Sequence, residues 1–213
     1  MNPPGRIVRQ LPESHDMPES ADTPDAPPLD LARALSIQAH ANRLANRRVQ
    51  AALANLSTSE LHAKRTSFFP TLIGTLNHLL AVDLYYIGAL HGEADVHAQY
   101  GRFALHDELA SYVSAQERSD QRLVLFCDRL DAAGVDAMVD MPRAAGQVQR
   151  DRAGHVLAHL FMHQTHHRGQ VHSMLSGTHV KPPQLDEFLM PSDAPYRVQD
   201  MAALGWIERE IYG

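Results

Sequence analysis

The chain is expected to be all-α: a four-helix bundle with a disordered N-terminal tail and a short C-terminal extension. Three observations predict it. Four long stretches repeat apolar residues at helical spacing, and no stretch reads confidently as a strand. Seven of the 13 prolines fall within residues 1–29, which sets that segment apart from the rest. The expected division is a proline-rich tail over 1–29, the bundle over 30–180, and an extension over 181–213 packed on the bundle.

The tail carries Asp, Glu and Ser among its prolines and cannot bury enough apolar surface to offset its chain entropy. In residues 29–56, Leu31, Leu35, Ile37, Ala41, Leu44, Val49 and Leu53 recur at roughly helical spacing, and Asp30 is placed to cap the start. The second helix opens on the capping box "STSE" at 57–60 and runs to His91-Gly92, where glycine suits a helix end. A bend is expected near Pro70, whose ring removes a backbone donor. Asp107 is expected to start the third helix, which ends at Gly134. Residues 135–149, with Pro142 and Gly146, are expected to be irregular or to hold short extended pieces. The fourth helix is expected from about Asp151 to Leu175, with Gly177 as its stop. An extended segment, "KPPQLDEF", and a short last helix over 197–212 complete the chain.

Composition narrows the function. With 213 residues, 44% hydrophobic and 21% charged, the chain can bury a full core. Its net charge is −6, and no Lys/Arg block of five or more exists, so a nucleic-acid partner is not expected. No apolar run approaches the roughly 18 residues of a membrane span, and no secretory signal opens the chain. Cys127 is the only cysteine, so no internal disulfide can form. Together these features predict a cytoplasmic protein.

The most informative stretch is "HVLAHLFMHQTHHRGQVHSML", with His155, His159, His163, His166, His167 and His172. At about 100° per residue, and with His155 at zero, the apolar stripe of Val156, Leu160, Val171 and Met174 centres near about 130°. His163 and His167 fall at about 80° and 120°, on that stripe. His155, His159 and His166 lie on its rim, and His172, at about 260°, lies on the far side. Two imidazoles four residues apart are neighbours and can reach one ion, and two buried rings need partners in any case. The competing reading satisfies each ring by a hydrogen bond to a neighbouring helix.

A zinc-like ion needs a third ligand. His40, His62, His78, His91, His97 and His106 are the candidates. His78 stands out because it sits in "TLIGTLNHLLAVDLYY", the most apolar stretch of the chain. Thr75, Val82, Tyr85 and Ala89 share its face within about 60°. A core ring bonded to a carbonyl is the competing reading of His78.

At these residues the chain resembles the DinB family, also called DinB/YfiT-like, which is unrelated to the DNA polymerase of the same name. The likeness is carried by "SFFPTLIGTLNHLLAVDLYYIGAL" and "HLFMHQTHHRGQVHSMLSGT", with "PPQLDEF" following, and covers roughly residues 30–190. The resemblance implies a four-helix bundle, often dimeric, in which three histidines bind one divalent ion. Carried over by motif, these are His78, His163 and His167; Arg168 and Gln170 belong to the pattern but not to the ligand set. Met162 departs from the asparagine expected before the first histidine of the pair.

Three neutral imidazoles leave positions open on an ion, which is the catalytic pattern rather than the closed structural one. The expected function is therefore a mononuclear enzyme with one divalent ion, zinc or nickel foremost. The resemblance further implies a small electrophilic substrate attacked by an activated low-molecular-weight thiol or water, a link to stress and a homodimeric state; a divalent ion can activate either nucleophile. No catalytic acid or base can be named. Asp83, about 140° from His78, is expected to be a solvated or salt-bridged carboxylate, with Arg168 as one partner. Tyr85 is expected to be a core residue with its hydroxyl satisfied, or else a donor to a group on the ion. Arg168 is expected to hold a carboxylate across helices or to bind substrate. The alternative function is a non-catalytic metal-binding or stress-response protein. A di-iron bundle is disfavoured because no Glu-x-x-His pair falls on any predicted helix.

Overall fold

The computed structural model describes residues 29–213. The expected disordered tail, apart from Leu29, lies outside the described residues. The bundle is built from α1 (Leu31–Leu53), α3 (Leu72–Leu90), α5 (Leu109–Cys127) and α7 (Ala153–Leu175), with short α2 (Thr58–His62), α4 (Val96–Gly101) and α6 (Ala132–Asp136) in the connections. Around the bundle, α1 packs on α5 and α7, and α3 packs on the same two, so α1 and α3 stand diagonally opposed. The all-α expectation holds. No helix among the described residues is long and apolar enough to cross a membrane.

Local chemistry explains most boundaries. The Asp30 side chain accepts the Arg33 amide at 2.8 Å and caps α1. Ser57 and Glu60 form the expected capping box on α2. Pro70 does more than bend the second helix. The helix ends at His62, and α3 begins afresh at Leu72, with the Thr71 hydroxyl capping the Gly74 amide at 3.0 Å. Proline disfavours helical backbone at the residue before it, and Thr71 then supplies a new start. The third helix starts at Leu109, two residues after Asp107, and stops at Cys127, short of Gly134; α6 forms separately, capped by Asp131.

Residues 138–152 form an antiparallel hairpin, β1 (Met138–Pro142) with β2 (Val148–Arg152), in which Val139 lies opposite Asp151. This firms up the expected extended pieces and replaces the start of the fourth helix, which begins at Ala153. The turn needs two residues of positive φ, Ala145 at 56° and Gly146 at 73°. The expected last helix is two, α8 (Ala194–Ala203) and α9 (Glu208–Ile211), parted where Gly205 adopts φ 66°. Phe188 and Met201 from this C-terminal part pack on Ala41, Leu44 and Ala45 of α1.

Two apolar clusters fill the bundle. One joins Leu35, Ile87, Leu123 and Leu157 near the hairpin; the other joins Leu53, Leu72, Tyr112 and Leu175. On each bundle helix the residues between the two clusters are polar and buried: Asn42 and Asn46, Asp83, Gln116 and Asp120, Gln164 and Arg168.

Candidate metal centre

His78 comes from the first half of α3, and His163 and His167 from successive turns of α7, which packs directly against α3. The helical spacing therefore aims two rings at one spot, and the α3–α7 contact brings the third. One ligand nitrogen from each ring lies within 4.8 Å of the others. His78 Nε2 and His163 Nε2 are 3.1 Å apart. Two nitrogens each about 2.0–2.1 Å from a shared ion stand roughly 3.0–3.4 Å apart, so this spacing fits a common ion. The group contains no carboxylate and no thiolate.

The protonation state suits the same purpose. Burial, reinforced by the neighbouring rings, pushes His163 down to about 4. Burial and the His167 ring lower His78, and burial lowers His167. All three are thus neutral near pH 7, as metal ligation requires. His167 Nδ1 donates to Gln170 Oε1 at 2.8 Å, and Gln170 Nε2 donates to His166 Nε2 at 3.1 Å. An amide oxygen only accepts, so the His167 proton sits on Nδ1 and the lone pair on Nε2. Buried Nδ1 of His163 has no partner among the described residues.

Phe69 closes one side. Its ring stacks on His78 at 4.4 Å and tilts over His167 at 5.8 Å. It comes from the stretch between α2 and α3 that was expected to be helical, so no helical spacing could have placed it. His78 and His163 are partly exposed, whereas His167 is buried.

The other histidines separate largely as the helical angles imply. His155, His159 and His166 are exposed. His172, on the far side, is half-buried, and its Nε2 donates to the Pro183 carbonyl at 3.0 Å. His40, buried, bonds the Ser36 carbonyl through Nδ1, and His62 the Asp107 carbonyl. His106 Nδ1 meets the Ser111 hydroxyl. His91 packs its ring edge-on against Phe126, and His97 is exposed. None of these joins the triad.

Three neighbouring expectations are corrected or settled. Asp83 is neither solvated nor salt-bridged. It is fully buried and accepts from Gln116 Nε2 at 2.8 Å and Gln164 Nε2 at 3.0 Å. Among the described residues Arg168 holds no carboxylate; its Nη1 donates to the amide oxygens of Asn42 and Asn46. Tyr85 is a core residue whose hydroxyl donates to the Pro142 carbonyl at 2.6 Å, so the hydroxyl is committed. Cys127 is buried, and burial pushes its thiol far above the usual range, so it stays protonated.

A model of the DinB family matches residues 36–200, well over half of the chain. Among curated proteins none matches it.

Proposed function

The chain belongs to the DinB family, and on that premise we propose that it is a mononuclear metal-dependent enzyme acting on a small electrophile. His78, His163 and His167 would hold one divalent ion, zinc or nickel foremost. The observation that carries the reading is the 3.1 Å approach of His78 Nε2 to His163 Nε2 beside a third neutral ring. When bound, the ion supplies a Lewis acid whose full charge is undiminished by anionic ligands and which lowers the pKa of water or a thiol.

The chain's own residues set the conditions for that chemistry. Gln170 fixes the His167 tautomer and aims Nε2 at the site. Phe69 excludes water from the face of His78. Among the described residues no thiol joins the triad, and the only cysteine is buried and protonated. A thiol nucleophile would therefore be a low-molecular-weight one from solution.

Metal analysis of the purified protein tests the ligands. Wild type should carry about one ion per chain, falling close to zero in His78→Ala, His163→Ala and His167→Ala. His166→Ala and His172→Ala should keep it. Metal retained in His163→Ala would overturn the assignment. The chemistry is tested by thiol consumption with a panel of electrophiles, before and after chelation. The Phe69 ring, stacked on His78 and tilted over His167, favours one second reading, a metal-binding protein without turnover. That reading expects a retained ion and no chelator-sensitive reaction.

A further inference from the structure

Arg168 follows His167 on α7, so its side chain is turned about 100° away from the triad, toward α1. It is 9% exposed. Its Nη1 reaches Asn42 Oδ1 at 2.6 Å and Asn46 Oδ1 at 2.8 Å. It has no ion pair among the described residues. Asp120 is linked to it only through Asn46, whose amide nitrogen donates to both Asp120 oxygens. The remaining guanidinium donors find no protein acceptor among the described residues. Asn42 Nδ2 is buried without a partner as well. Unlike that nitrogen, the free donors of Arg168 are not among the buried, sealed-off atoms, so they can serve an acceptor placed in the adjoining space.

Both residues line a cavity of about 490 Å³ between α1, α7 and residues 184–189. Its walls include Ala41, Ala45, Leu185 and Phe188. Gly169 leaves one wall open, since a Cβ added there meets nothing within 4 Å.

We propose that this cavity binds a small monocarboxylate with an apolar body, its carboxylate held by the free donors of Arg168 and its body against Leu185 and Phe188. A planar carboxylate matches the guanidinium fork. The apolar walls suit a hydrocarbon body and offer a fully polar anion nothing. The charges select a monoanion. Among the described residues Arg168 is the one guanidinium lining the cavity, and Asp186, exposed at its edge, repels a second negative charge. His172 also lines it, with Nε2 committed to the Pro183 carbonyl. The site is separate from the histidine triad and does not depend on the ion.

Calorimetric titration of the full chain with benzoate, benzamide and inorganic phosphate tests it. Benzoate should bind saturably at one site per chain. Benzamide, the same shape without charge, and phosphate should each bind at least about tenfold more weakly. Gly169→Leu, which projects into the cavity from a position with free space, should weaken benzoate by a similar factor. His163→Ala should bind benzoate as wild type does. Absence of saturable benzoate binding overturns the proposal, as does equal binding of benzamide or phosphate. Binding lost in His163→Ala would place the carboxylate at the triad, and unchanged binding in Gly169→Leu would place it outside the cavity; either result overturns it.

Discussion

Gln170 touches no ion, yet the histidine beside it is positioned only through that amide. The His167 Nδ1–H donates to Gln170 Oε1 at 2.8 Å, which leaves Nε2 as the nitrogen free to coordinate. In Gln170→Ala the ring loses its tether and its preferred tautomer. Metal affinity should fall about 10–100-fold, the usual effect of losing such a partner, while the fold is retained. Competition with a chelator of known affinity measures this; an unchanged affinity would show that packing against Phe69 and His166 orients the ring unaided. The candidate site was readable in the sequence where it obeys helical spacing. His163 and His167 share an apolar stripe, and His78 sits amid the most apolar stretch. Gln170 was not readable in the same way, because a glutamine on a helix surface looks alike whether it orients a ligand or faces water. Phe69 was hidden because a loop has no period from which to infer direction.

At the level of elements, α7 forms in spite of its composition. It holds six histidines, which are modest helix formers, together with Gly154 and Gly169, and Arg152 gives its first turn no side-chain cap. Packing holds it: Val156, Leu157, Leu160, Val171 and Leu175 are all nearly inaccessible. The glycine at 169 is therefore a local weakness, and a methyl group added there meets nothing. Gly169→Ala should raise stability by about 0.5–1 kcal/mol, read as a higher urea midpoint at unchanged slope. A lower midpoint would mean that the glycine backbone is needed in a non-helical excursion. The long periodic helices were readable because their patterns repeat over several turns. The break at Pro70 was harder, since proline permits either a kink or a stop, and the choice fell to Thr71 and its capping bond. The hairpin was only half visible: its turn rests on Ala145 at φ 56°, a conformation alanine gives no sign of in sequence.

The whole molecule is organised around a buried polar layer between two apolar clusters, to which every bundle helix contributes. Asn46 Nδ2 donates to Asp120, and Gln116 Nε2 bridges Asp120 and Asp83 at 3.0 and 2.8 Å. Gln164 joins Asp83, and Arg168 joins Asn42 and Asn46. No single-helix pattern could show this, because each residue is an ordinary polar position until four helices converge. The layer makes stability depend on pH. Burial, aided by the nearby Asp120 charge, pushes Asp83 up to about 8 from its ordinary 3.8; burial likewise pushes Asp120 up to about 6. Between 3.8 and about 8 the folded chain keeps a proton on Asp83 that the unfolded chain has released. Its contribution is therefore fully present below pH 3.8 and is lost as pH rises toward about 8. Asp83→Asn has no such proton. It should be less stable than wild type at pH 5 by about 1–3 kcal/mol, because its amide cannot accept from both Gln116 and Gln164. With rising pH the difference should shift toward Asp83→Asn at up to about 1.4 kcal/mol per unit, cross zero between about pH 6 and 7, leave the variant the more stable protein, and level off above about pH 8. The Asp120 contribution is shared by both proteins and largely cancels in the difference. Urea unfolding of the two proteins from pH 5 to 9 gives that difference directly. Parallel curves would mean that Asp83 is ionised in the folded bundle throughout, and that the two glutamine amides alone stabilise its charge.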